Sequence, residues 1–176
     1  MEIEDFINSI ELSSPNLPPK DILKKVDFIH NGKEEWGESD DINADFREKI
    51  VEIIFDSEKL KNRELIKYLL RAEIDYCREE TLMRETLRQL TFMLYSFGKF
   101  EDIPLLFEAK MDTSFDAECG LDIELVFGAD NEKVKDYFRT NKHIDYDIVS
   151  CIEEYEKYEF RTPEEFKKEM NSYYGK

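Results

Sequence analysis

Cysteine is scarce in this chain. There are three, Cys77, Cys119 and Cys151, and none belongs to a CxxC pair. An odd count without paired spacing argues against a disulfide framework and fits a reducing compartment. Histidine is scarcer, with His30 and His143 alone. Zinc hydrolases need several imidazole ligands or an HExxH helix, and neither is present. Phosphate-binding glycine loops, dinucleotide fingerprints and the nucleophile elbow of hydrolases are absent too, so nucleotide and hydrolase chemistry lack support. No apolar run approaches the roughly 20 residues that span a bilayer. The opening residues, MEIEDFINSIEL, are acidic and offer no basic region for a secretory signal. A cytoplasmic location is the expectation.

Positive charge is the other deficit. Lys and Arg number 25 against 42 Asp and Glu, giving a formal net charge of −17. Nucleic-acid binding relies on cations that displace counterions from phosphates, so that class is disfavoured. Anionic membrane surfaces are disfavoured for the same reason. What the charge favours is steered encounter with a basic partner, and it also confers solubility.

The chain has 176 residues, a length that suits one domain over 1–176 with a core of its own. Apolar residues make up 41% and charged residues 38%, which together suit helices with one buried and one solvated face. Ile3, Phe6, Ile7 and Ile10 recur at helical spacing. Residues 13–19, SSPNLPP, then form a proline- and serine-rich turn that no helix can cross. Residues 20–30 place Ile22, Leu23, Val26 and Ile29 on one helical face. Residues 31–42, NGKEEWGESDDI, read as a loop holding the only tryptophan.

Stronger helical stripes follow. Phe46, Ile50, Ile53 and Ile54 form one, and Ile66, Leu69, Leu70 and Ile74 form the next, in a helix starting near Asn62. Met83, Leu87, Leu90, Leu94 and Phe97 make a short heptad-like seam, closed by Gly98 and read as a core face. Asp102 and Pro104 predict a helix start, with Asp102 as the cap. Its apolar face is Ile103, Leu106, Phe107 and Met111. Residues 120–128 alternate like a strand but have no partner strand, so a short helix is expected there. Asp130, Asp145 and Thr162 are read as caps of the last three helices, Thr162 with Pro163 and Glu165 forming a capping box. The expected fold is all-α: antiparallel helical hairpins in a HEAT/ARM-like stack or an irregular bundle.

Residues 100–128 hold the densest patterning. Within and beside this stretch, Phe107-Glu108-Ala109-Lys110, Phe115-Asp116, Gly120-Leu121-Asp122 and Val126-Phe127-Gly128-Ala129 resemble a pattern in bacterial all-α proteins. These include helical-repeat proteins and immunity proteins of bacterial toxin systems. The resemblance spans about thirty of the 176 residues. It implies a HEAT-like fold and a protein-binding role, and carries over no catalytic residue.

Two groups are candidates for partner contact. The first is Trp36 with Glu34, Glu35, Asp40 and Asp41, where a large flat ring sits among acids. For Trp36 itself the favoured reading is that it folds back over the core edge, with its N–H reaching water. The second is Asp116, Glu118 and Asp122, around Cys119. Helix capping accounts for such acids as readily as partner contact does. Cys119 is expected to be a buried, inert thiol. His143-Ile144-Asp145-Tyr146-Asp147 reads as a loop before a helix. No cofactor is called for. The leading reading is a protein-interaction module, with immunity to a basic toxin as its specific form. The alternatives are an enzyme with a carboxylate-bound metal at Asp116, Glu118, Asp122 or His143, and an acidic mimic of nucleic acid.

Overall fold

The computed structural model describes residues 2–32 and 41–175. The described residues form eleven α-helices and no strand. In chain order these are α1 (Ile3–Ser13), α2 (Lys20–Leu23), α3 (Ala44–Asp56), α4 (Arg63–Glu80), α5 (Glu85–Ser96), α6 (Ile103–Met111), α7 (Phe115–Gly120), α8 (Glu124–Phe127), α9 (Asn131–Thr140), α10 (Ile148–Tyr155) and α11 (Pro163–Tyr173). Lengths run from 4 to 18 residues, with no fixed period.

The centre is the hairpin of α4 and α5. Asn62 caps α4 by accepting from the amides of Glu64 and Leu65 at 3.0 and 3.1 Å. Leu65, Ile66, Leu69, Leu70 and Ile74 are buried along one stripe, facing Leu87, Leu90 and Leu94 of α5. Each such side chain contributes about 1.5–3 kcal/mol relative to exposure. Thr81 turns the chain between the helices with φ 55°, the left-handed region. α3 lies against α5, and α1 lies against α3, where Phe6 meets the edge of Phe46 at 5.7 Å. α11 closes the far side. Its Phe166 is buried edge-on against Tyr95 at 5.1 Å, and the following Tyr174 sits on Phe55 at 4.5 Å.

α6 and α8 pack beside α5, α7 packs on α6, and α9 pairs with α10. Within the segment 120–128, Gly120 ends α7, and α8 is the short helix expected; its end needs a glycine. Gly128 has φ +64°, and a Cβ there would meet Val134 Cγ2 at 3.1 Å and Ile103 Cδ1 at 3.3 Å. The Tyr95 hydroxyl donates to the Gly128 carbonyl at 3.2 Å, tying α5 to this corner.

Three local expectations need correction. The helix read over 20–30 stops at Leu23, and Ile29 is exposed. The carbonyls so released are bonded otherwise: Asn43 Nδ2 donates to Lys24 O at 3.2 Å and to Asp27 O at 2.9 Å. Asp102 does not cap α6. Its buried carboxylate takes a bidentate contact from Arg63 at 2.7 and 2.6 Å instead. The cap of α10 is Asp147, not Asp145; it accepts from the Ser150 amide at 3.0 Å. In each case a longer-range or better-placed polar partner outcompetes the nearest local one.

The core also holds a charged network. Arg47 of α3 is fully buried. Its Nη1 meets Asp41 Oδ2 at 2.6 Å and its Nε meets Glu73 Oε2 of α4 at 2.8 Å. Arg84 adds Glu48 at 2.7 Å, and its Nε stands 3.7 Å from Glu73 Oε1. The Tyr76 ring lies between the two guanidiniums, 5.7 Å from Arg47 and 4.8 Å from Arg84. Arg47→Met removes the guanidinium that two buried carboxylates share, although Arg84 stays 3.7 Å from Glu73, and breaking such a buried contact costs about 3–5 kcal/mol. Urea unfolding should show that loss, and the combined Asp41→Asn, Arg47→Met, Glu73→Gln variant should regain part of it. A single-variant loss under about 1 kcal/mol, the range of an exposed pair, would refute this role.

Candidate interaction surface

Two loops meet at one edge of the molecule. The first joins α6 to α7. Arg78 of α4 holds it by donating from Nε and Nη2 to the Asp112 carbonyl at 3.0 and 2.8 Å. Thr113 Oγ1 donates to Glu108 O at 2.9 Å, and Ser114 Oγ caps α7 by accepting from Ala117 N at 3.2 Å. The second loop, residues 141–147, joins α9 to α10. It starts with Asn141 N donating to Tyr137 O at 2.8 Å and ends at the Asp147 cap.

Tyr146 couples them. Its hydroxyl donates to Asp112 Oδ2 at 3.0 Å, and its ring lies on Phe107 with centroids 4.8 Å apart. His143 stacks on the same ring at 5.1 Å and 4°. Burial first, and then the hydrogen bond to Asp112, push the Tyr146 hydroxyl up to about 12, so it stays a donor at neutral pH. A cleft of about 540 Å³ runs along this loop, between Phe138, Arg139, His143 and Ile148.

The consequence is an edge that presents apolar groups. Ile144 is 97% exposed and Phe115 is 76% exposed. Beside them in the sequence are Asp116, Glu118 and Asp145, exposed and, among the described residues, with no side-chain hydrogen bond or ion pair. Phe115 faces outward because α7 is only six residues long and buries Ala117 alone. Cys119 is exposed for the same reason, contrary to the expectation of burial. The buried thiol is Cys77, pushed up to about 12 by desolvation.

The structure separates the acidic residues singled out in the sequence. Asp116 and Glu118 share the exposed edge. Asp122 does not: it lies past the end of α7, ion-paired with Arg161. Asp41 is buried on Arg47 and belongs to the core network. Trp36, Glu34, Glu35 and Asp40 lie outside the described residues. Among the described residues, no three His, Cys, Asp or Glu side chains converge on a metal-sized site.

Sequence reasoning missed Arg161. It meets Glu124 through Nε and Nη2, both at 2.9 Å, and Glu169 through Nη1 at 2.6 Å, besides Asp122. Its partners lie 8 to 39 positions away, beyond any local pattern. Lys110 was missed likewise. It is buried with its ammonium on the Glu118 carbonyl, and desolvation lowers its pKa. Phe115 and Ile144 carry one faint signal, a large apolar residue inside an otherwise polar loop.

Comparison with protein-family models, with curated proteins and with solved structures finds no match to this chain.

The Arg161 cluster sets an acid limit. Burial alone would raise the Glu124 carboxyl, but the bonds from Arg161 outweigh it and hold the group below its ordinary value. A carboxyl depressed in the folded state adds stability above its unfolded value, about 4.3, and that stability disappears as pH falls through the folded value. Wild-type protein should therefore lose stability as pH falls below about 4.3. Arg161→Met should be weaker at neutral pH and fall less steeply in acid. Urea midpoints across this range measure it, and an unchanged acid slope in the variant would count against the cluster.

Proposed function

We propose that this chain is a protein-interaction module that receives a basic partner on the edge formed by Phe115, Ile144 and the surrounding carboxylates. Immunity to a basic toxin is the specific form of this reading, in line with the resemblance noted in residues 107–129. The supporting observation is the pairing of two highly exposed apolar side chains with unpaired Asp116, Glu118 and Asp145 on bonded, ordered loops. Apolar anchors within a polar, charged rim are the common anatomy of an interface. The charge complement would be lysines and arginines around a shallow apolar pocket, and binding would occlude that basic surface.

Trp36, Glu34, Glu35 and Asp40 extend the proposal on sequence grounds. A tryptophan among acids has the same composition as the Phe115 edge. The charge of −17 adds long-range attraction for a cationic partner. The reading concerns association alone and assigns no reaction to the chain. Among the described residues, no helix is long and apolar enough to cross a membrane.

The test is retention of partner proteins from the native cell on immobilised chain, at low and high salt. A basic protein should be retained at low salt and largely released at high salt, because exposed charges are screened beyond about 10 Å at 0.1 M. The double variant Phe115→Ser, Ile144→Ser should keep its thermal stability, since both residues are exposed, yet lose retention by more than about tenfold. A toxin gene beside this one would favour the immunity form. Retention of no basic protein at low salt, or equal retention by the double variant, would sink the proposal.

A further inference from the structure

A second concavity has a different chemistry. It opens between the C-terminal end of α3, one face of α5, and α11, and has a volume of about 510 Å³. That lies within the roughly 300–1,000 Å³ usual for small-molecule pockets. Its floor is apolar: Phe55 from α3, and Phe92, Met93 and Phe97 from α5 and its end. These four converge because positions 92, 93 and 97 share one side of a helix, while Tyr174 packs on Phe55 and Phe92 and keeps both rings in place.

The rim is cationic in a strongly anionic protein. Lys167 and Asn171 project over the cleft from α11, one turn apart. Lys167 forms no ion pair among the described residues, and its ammonium lies over the Tyr95 ring, 5.7 Å from the centroid. The Asn171 amide has no hydrogen-bond partner among the described residues. Lys61 lines the opposite side, held by Glu58 and lying over Phe55 at 5.9 Å. The lining thus carries two ammoniums against one carboxylate, on a chain of net charge −17.

We propose that this cleft binds a medium-chain aliphatic carboxylate. The alkyl part would cover the Phe55, Phe92 and Met93 floor, and the carboxylate would accept from the Lys167 ammonium and the Asn171 amide. The alkyl part gains in proportion to the apolar area it covers. The charge-assisted bonds select the head group, because an ammonium with no partner gains more from a carboxylate than from a hydroxyl. The cleft shares no lining residue with the Phe115 edge, so the two proposals stand or fall separately.

Titration with octanoate and with octan-1-ol, followed residue by residue in amide NMR spectra, tests this. Octanoate should shift amides of residues 92–97 and 167–171 saturably, and the alcohol should bind about tenfold more weakly. Lys167→Glu and the milder Lys167→Gln should weaken octanoate by about tenfold and leave the alcohol unchanged. Lys168→Glu alters the net charge as Lys167→Glu does, outside the cleft, and should leave octanoate binding as in wild type. The proposal is overturned if octanoate fails to saturate, if alcohol and acid bind alike, or if the two charge reversals act equally. Binding of an acidic peptide at these residues in place of octanoate would overturn it too.

Discussion

The buried guanidinium of Arg47 is the constraint on which the N-terminal part of the fold depends. A guanidinium has five N–H donors and cannot shed its charge, so burying it obliges the structure to supply acceptors. Asp41, Glu73 and the Val26 carbonyl supply them, from a loop, a helix and a turn. Asp41 in turn accepts from the amides of Ile29 and Asn43, each at 3.0 Å. One residue therefore fixes where α2 must end and where α3 must begin. Just after α2, Val26 is buried and Phe28 is partly buried against the core. Polar bonds secure residues 24–29 where a hydrophobic stripe would hold a longer helix.

The same logic governs the charge balance of the whole chain. With 25 cations and 42 carboxylates, at least 17 carboxylates lack a one-to-one partner. Several arginines bridge separate elements: Arg63 on Asp102, Arg78 on Glu108 and Asp112, Arg84 on Glu48, Arg161 on three acids. A fork-shaped donor that meets two or three carboxylates at once suits this bridging better than a lysine. Since the arginines neutralise acids at junctions between helices, the excess negative charge is left on outer faces. The acidic field is thus a by-product of how the helices are joined, and it falls on the surfaces a partner would meet.

Legibility in the sequence divides along the same line. Helix periodicity and local caps could be read because their information lies within four residues: Asn62, Asp130 and the Thr162–Glu165 box all cap the helices they precede. The all-α class followed from those signals. Asp102 and Asp122 could not be read, because each sits near a helix start but is claimed by an arginine 39 positions away. Asp145 lost the cap to Asp147, two positions on, where the carboxylate reaches the Ser150 amide. Cys119 was misread because burial of a short helix depends on what it packs against, and α7 buries a single alanine. Of the acidic loop, Asp116 and Glu118 fall on the exposed edge, whereas Phe115 and Ile144 emerged only once Tyr146 was seen to join two loops.

That junction bears on what the edge can do. An exposed isoleucine on a loose loop gains little on binding, since ordering its backbone costs about 1–2 kcal/mol per residue. Here much of that ordering is already in place. Arg78 fixes the Asp112 carbonyl, Asp112 fixes the Tyr146 hydroxyl, and the Tyr146 ring supports His143 one position before Ile144. The chain of contacts runs from α4, in the centre of the core, to Ile144, the most exposed large apolar side chain among the described residues. In the proposed binding of a basic partner, so rigid a support would let Phe115, Ile144 and the three carboxylates engage with little loss of freedom. Disrupting Tyr146 would loosen both loops together, so the two anchors are coupled through it although 29 positions separate them in sequence.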